Sequence, residues 1–328
     1  MVSNSEAQAQ DRARSYRNLQ HARDAASASA GYDSHETRTR IHALFRERFG
    51  SDAREWQVDV TEALLLGLDC LVIVGTGGGK TMPFMMPLML DPMSKSIILS
   101  PLKILQLDQT SRFRKMGITA AAVNGDTWSE NLHEKLKDGA FQGILASPEM
   151  CLKHAEFRGL LTNSSFQGIK TLAVDEAHCI SQWGGDFRPT YSELAKLRAF
   201  FPPHIPVLAT TATANSQCLR EIRSCLGIDP TTSFYLNLGN DRPNISYHVH
   251  QISSTKDLDA IRPHLSHTVP SPSARSHLPK TIVFVNAVLL SQIAAREIQQ
   301  WFPNHLRKCV DYLHAHRSPQ AKQRVMDW

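Results

Sequence analysis

Five short apolar runs mark out the first two thirds of the chain: Leu71–Val74, Ser96–Leu99, Gly143–Ala146, Thr171–Val174 and Pro206–Thr211. Each stops at a glycine, a Ser-Pro or Thr-Ala turn, or an acidic pair. Unbroken apolar runs of this length, bounded by turn residues, predict strands buried on both faces. Helical patterns lie between them. That alternation over 37–244 predicts an α/β domain, a parallel sheet with helices on both faces. Residues 1–36 are rich in Ser, Ala, Arg and Gln and poor in large apolar residues, which predicts a disordered or at most loosely helical segment. A second unit is predicted over 245–328. Its strand patterns are Ser246–His250, Lys280–Asn286 and Val310–Arg317, with a polar Ser/Pro/His loop at 266–279, an amphipathic helix ending near Phe302 and a last helical pattern from Pro319.

Two places carry chemistry. After Leu71–Val74 comes Gly75-Thr76-Gly77-Gly78-Gly79-Lys80-Thr81, and then a mostly apolar stretch that can start a helix. Strand, glycine loop, Lys-Thr and helix together form a phosphate cradle. Backbone N–H groups close around the phosphates and the helix N-terminus adds its positive dipole end. Lys80 is the candidate for the β/γ-phosphates and Thr81 for magnesium. The strict loop pattern has glycine where this chain has Val74. The second place is Asp175-Glu176-Ala177-His178, at the tip of the run Thr171–Val174 and followed by a loop holding Gln182, Trp183, Phe187 and Arg188. Acids at a strand tip suit magnesium and water activation, and two aromatics with an arginine suit base stacking.

The run Asp175–Tyr191 resembles motif II and the aromatic-rich loop of RecQ-family DNA helicases, which also carry a Thr-Gly-Gly-Gly-Lys phosphate loop. The resemblance implies a RecA-like P-loop domain using ATP and Mg2+, with Asp175 holding the metal through water and Glu176 orienting the attacking water. It implies that Arg54 and Gln57 meet the adenine, since an amide offers one donor and one acceptor; read alone, Gln57 is equally a solvated helix residue. Ala53 stands where the family has an aromatic, and Phe49 could stack instead. Ser100 and Pro101 are similar to motif Ia, which lies along DNA, and 143–149 to the next phosphate-contacting motif. Thr211 and Thr213 are similar to motif III, and would couple nucleotide state to the strand with His178 and Gln182. Asp241–Asn244 is a further RecQ-like signature, and Gly185 replaces a common histidine.

Motifs V and VI, with their arginine finger, do not occur before Trp328. The expectation is therefore an incomplete second RecA-like domain at 245–328 and weak turnover, since such a finger contributes roughly 10³–10⁵ in rate. The implied function is a 3′-to-5′ ATP-dependent DNA helicase acting on single-stranded or forked DNA in the nucleus. The alternatives are a catalytically weak or dead ATP- and DNA-binding module, and an RNA helicase.

Composition changes little. A chain of 328 residues with 42% hydrophobic content can bury one α/β domain and part of another. A net charge of +5 is compatible with a polyanion. The 15 histidines are scattered, and the 6 cysteines show no Cys-x-x-Cys spacing, which fits reduced thiols better than zinc. Residues 1–31 lack the apolar centre of a signal peptide, and no run reaches membrane-spanning length, so no membrane partner is expected. Nothing in the sequence names a protein partner.

Overall fold

The computed structural model describes residues 4–162, 168–183, 190, 193–254, 257–266 and 280–326. The chain divides into two compact units, Met1–Arg242 and Pro243–Trp328.

The first unit opens with three helices, α1 (Asn4–Ala30), α2 (Ser34–Phe49) and α3 (Glu55–Leu65). Strands and helices then alternate: β1 (Cys70–Ile73), α4 (Met82–Leu90), β2 (Lys95–Leu99), α5 (Lys103–Lys115), β3 (Ala120–Val123), α6 (Glu130–Lys137), β4 (Gly143–Ala146), α7 (Pro148–Lys153) and α8 (Ala155–Thr162). They continue through β5 (Ile169–Val174), α9 (Cys179–Trp183), α10 (Leu194–Arg198), β6 (Val207–Thr211), α11 (Ser216–Leu226) and β7 (Phe234–Asn237). Among the described residues seven strands form one sheet, all parallel, in the order β3-β4-β2-β5-β6-β1-β7. Because side chains alternate along a strand, neighbouring residues enter different cores. Leu71, Ile73, Leu99 and Val174 face one core, while Val72, Ile98 and Ala173 face the other. Apolar residues on both faces explain the unbroken runs, and parallel pairing brings all the C-terminal strand ends to one edge.

Of the two expectations for 1–36, disordered or loosely helical, the structure shows helix, over Asn4–Ala30 and again from Ser34. α1 docks on the domain mainly through polar contacts. Tyr16 donates to Asp59 (2.7 Å), Asn18 Nδ2 to the carbonyls of Thr231 and Ser233 (both 2.9 Å), and the Tyr235 N–H to Ser15 Oγ (2.9 Å). Leu19 is the fully buried apolar anchor. Glu62, on α3 and also fully buried, accepts from Arg23 of α1, from Ser34 and Arg38 of α2, and from Tyr32 between them. Several charge-assisted bonds onto one buried carboxylate order a segment that has few large apolar residues. Asp33 caps α2, accepting from the Glu36 N–H.

In the second unit, 3-10 turns at Asp259–Ile261 and Arg307–Cys309 accompany α12 (Arg262–Ser266), α13 (Val288–Trp301) and α14 (Pro319–Met326). Leu258, Ala294 and Ile298 form a small core. The strands expected at 246–250, 280–286 and 310–317 are corrected: the described residues of this unit contain none. Val249 is 98% exposed and Phe284 90%. A strand needs a neighbour for its backbone groups and a face for its alternate side chains, and an alternating pattern supplies neither by itself.

Candidate nucleotide and nucleic-acid site

The phosphate loop joins β1 to α4 at the C-terminal edge of the sheet. Four of its carbonyls accept from side chains. Lys80 Nζ donates to the Val74 carbonyl (3.0 Å), Arg242 Nη1 to Thr76 (2.9 Å), Arg54 Nη1 to Gly78 (2.9 Å) and Gln57 Nε2 to Gly79 (3.1 Å). In a planar trans peptide the carbonyl and the following N–H point opposite ways. Holding the carbonyls of Thr76, Gly78 and Gly79 therefore turns the N–H groups of Gly77, Gly79 and Lys80 to the other side, as an anion cradle requires. Gly77 and Gly79 sit at φ +81° and +91°, where a side chain would be strained. The loop closes with the Gly78 N–H on the Gly75 carbonyl (3.0 Å) and the Met82 N–H on Gly79 (3.1 Å). Thr81 is the N-cap of α4, and its side chain makes no cap hydrogen bond.

Gln57 is brought to the loop with its amide engaged at both ends, since Oε1 also accepts the Arg54 N–H (2.9 Å). Phe49 packs on Phe45, ring centroids 4.2 Å apart, within the helical core.

Two strand ends away lies the acidic tip. Asp175 is buried at the end of β5. Its Oδ2 accepts from Gln109 Nε2 (2.8 Å), and its Oδ1 from Thr210 Oγ1 (3.1 Å) and the Glu176 N–H (3.0 Å). Burial, and secondarily the Glu176 charge, push this carboxyl above its ordinary value. A buried carboxylate held only by neutral donors suits a divalent cation, which would restore the favoured charge state. Glu176 has φ +49°, a left-handed backbone that costs a non-glycine residue roughly 1–3 kcal/mol and is typical of functional tips. The hydrogen bond from His178, then the charge of Lys80, draw Glu176 below its ordinary value despite burial, so it is held ionised beside the loop lysine.

His178 Nδ1 lies 2.9 Å from Thr211 Oγ1 and 3.3 Å from Glu176 Oε2. Thr211 Oγ1 in turn donates to the Thr213 carbonyl (3.0 Å) and accepts the Thr213 N–H (3.3 Å). The structure thus joins Glu176, His178, Thr211 and Thr213. The side chains of Gln182 and Trp183, and all of Phe187, Arg188 and Gly185, lie outside the described residues; Trp183 ends α9.

The ends of β2, β3 and β4 form a shallow cavity of about 470 Å³, bordered by Pro101, Lys103, Gln106, Ser147, Lys153 and His154 among others. Ser100, expected along a DNA strand, is fully buried, and its hydroxyl has no hydrogen-bond partner among the described residues. Pro101 is buried too but borders the cavity, while Lys103, at the start of α5, is exposed there and ion-paired to Asp126 (2.7 Å). Sequence reading missed Gln106, Gln109 and Thr210, and took Arg242 only as part of a signature. For Gln106 and Gln109 the signal was polar residues at 106, 109 and 110, spaced as one helix face; Thr210 and Arg242 had no such pattern.

Residues 54–222 match the family model for DEAD/DEAH box helicases, just over half of the chain. An ATP-dependent DNA helicase RecQ of Pasteurella multocida is 35% identical over 211 residues, covering 63% of this chain and 32% of that protein. A putative ATP-dependent DNA helicase Q1 of Caenorhabditis elegans is 33% identical over 221 residues, covering 65% and 34%. The chain spans about a third of the length of these relatives. Among solved structures, the DUF1998 helicase MrfA bound to DNA aligns with TM-score 0.60 at 17% identity, covering 88% of this chain and 42% of that one. Dbp5 of S. cerevisiae aligns with TM-score 0.52 at 16% identity, covering 88% and 72%. These two likenesses speak to fold alone, a RecA-like helicase fold. The sequence match falls on the same stretch that carries the glycine loop and the Asp175–His178 tip: the chain belongs to the DEAD/DEAH box helicase family, and the relatives it resembles in sequence are RecQ DNA helicases.

Proposed function

We propose that this chain works as an ATP-dependent DNA helicase of RecQ type, moving 3′ to 5′ on single-stranded or forked DNA in the nucleus. One observation carries the reading. The loop that can cradle phosphates, the buried carboxylate that can hold magnesium, and the His178–Thr211 link occupy one edge of the sheet. The RecQ names of the sequence relatives support DNA over RNA.

Bound magnesium ATP supplies the transferable phosphoryl group and a cation that neutralises its charge. Lys80, leaving the Val74 carbonyl, would hold the β/γ-phosphates, and Arg54 and Gln57 would meet the adenine. Thr81 would ligate magnesium directly and Asp175 through water. Glu176, kept ionised by His178 and Lys80, would orient the attacking water. His178 and Gln182 would then carry nucleotide state to Thr211 and Thr213. Ser147, Pro101 and Lys103 border the surface available to a DNA backbone, and Trp183, Phe187 and Arg188 would take the bases.

The test is steady-state ATPase of the full chain with and without single-stranded DNA, alongside unwinding of matched DNA and RNA duplexes bearing 3′ or 5′ tails. DNA-stimulated turnover and separation of 3′-tailed DNA are the expected results. Nucleotide and DNA binding without turnover would favour the binding-module alternative, and preference for the RNA duplex would overturn the assignment.

A further inference from the structure

Helix α5 has a polar buried face. Gln106 is fully buried, borders the cavity at the ends of β2, β3 and β4, and ties two of those ends together. Its Nε2 donates to the Ser100 carbonyl (3.0 Å), and its Oε1 accepts from Asn124 Nδ2 (2.8 Å). Gln109 stands three residues on, about 4.5 Å further along the same face. Its Nε2 donates to Asp175 Oδ2 at 2.8 Å. Its own carbonyl oxygen, Oε1, is buried and has no hydrogen-bond partner among the described residues. A buried acceptor left unpaired is costly, so it calls for an explanation.

We propose that Gln109 is a positioning residue, linking the cavity where a DNA strand would lie to Asp175, the carboxylate that would hold magnesium. The inference rests on the function proposed above and adds a path for its regulation. An amide suits this place because it offers both polarities. The N–H side fixes the carboxylate, and the buried oxygen would remain able to accept a further hydrogen bond at the site. Neither an apolar side chain nor an ionised carboxylate does both. The lever is α5 itself, whose first turn borders the cavity with the exposed Lys103 and whose Phe113 anchors it in the core. A strand bound against the exposed Lys103 would bear on the first turn of α5, and through the buried Gln106 and Gln109 on the carboxylate one turn further along. Thr210 holds the other Asp175 oxygen from β6, outside this path.

The experiment uses the full chain and a fluorescent ATP analogue, titrated with Mg2+ in the presence and absence of an unstructured oligothymidine. For the native chain, oligothymidine is expected to shift the Mg2+ concentration at half-saturation. Gln109→Met should raise that concentration about tenfold, the low end for loss of a partner to a metal ligand, and should abolish the oligothymidine shift. Its oligothymidine affinity and its metal-free nucleotide affinity should stay unchanged, which a general structural defect would not allow. Thr210→Val should raise the Mg2+ requirement yet keep the shift. Should Gln109→Met not fold, Gln109→Asn withdraws the amide by one methylene and carries the same expectation. A native-like Mg2+ requirement and shift in the folded Gln109 variant, or a native chain that shows no shift, would overturn the proposal while leaving the helicase assignment standing. A native chain without any Mg2+-dependent nucleotide binding would instead overturn the assignment beneath it.

Discussion

Val74, standing where the strict loop pattern has glycine, makes the next glycines unequal, and a four-variant series can read that inequality. A Cβ built on Gly78 would lie 2.2 Å from Val74 Cγ1 and 2.9 Å from the Gly75 carbonyl oxygen, both inside real contact distances. The Gly78 backbone is not in the left-handed region, so the obstacle is steric and sits mainly in one stiff, buried, β-branched side chain. Overpacking of this kind costs about 1–3 kcal/mol, or roughly 5- to 150-fold in Mg-ATP affinity if the bound loop keeps this shape. Val74→Ala removes the offending methyl and should return most of that loss in the double variant. Gly79→Ala should behave differently, since it combines φ +91° with a Cβ 2.5 Å from Gln57 Nε2, and shortening Val74 relieves neither. Gly77→Ala, at φ +81° with open space around it, should show strain alone, on the order of 1 kcal/mol. Titration calorimetry with Mg-ATP measures all four, with far-UV circular dichroism as the folding control. Native affinity in Gly78→Ala, or a double variant no better than Gly78→Ala, would refute the steric coupling of positions 74 and 78.

Three further outcomes are expected. Lys80→Ala should lose a charge-assisted phosphate contact, about 1.5–3 kcal/mol of Mg-ATP affinity by calorimetry, and equal affinities would remove Lys80 from the site. Burial pushes the Glu62 carboxyl up, but hydrogen bonds from Arg23, Ser34 and Arg38 pull it net below its ordinary 4.5. A folded-state value depressed in this way stabilises the fold above pH 4.5 and is lost as pH falls through the lower folded value. Glu62→Gln should therefore melt below the native chain at neutral pH, with the gap closing under acid; a gap independent of pH would contradict the clamp. Hydrogen exchange should be slow over Cys70–Ile73 and Leu172–Val174 and fast over 246–250 and 281–285, and protection of the latter two would mean that those segments do pair.

The motifs were legible because each is local. A glycine loop between a strand and a helix, or acids at a strand tip, needs only neighbours in sequence. What holds the motifs in place is not local: Gln109 meets Asp175 across 66 residues, and Arg242 meets Thr76 across 166. Hydrophobic patterning also misleads at α5, where Ile104 is 64% exposed and Leu107 50%, while Gln106, Gln109 and Thr110 are buried. The inversion has a cause. For the two glutamines, the side chains reach the ends of β2, β3 and β5, where a carbonyl, an amide and a carboxylate form hydrogen bonds with them. The same reasoning covers α1, whose docking through Tyr16, Asn18 and Arg23 carries little apolar signal, and β3, whose Ala120–Val123 run has the composition of a helix but takes its conformation from β4. It covers Val249 and Phe284 in reverse, where a strand pattern lacks a partner. Apolar periodicity reports burial against apolar surroundings, so it fails where a buried face is polar, and at α5 that face reaches the sheet edge that carries the glycine loop and Asp175. A polar residue at a buried helical position just after a strand-ending turn is therefore a better pointer to the machinery than another apolar match to the fold.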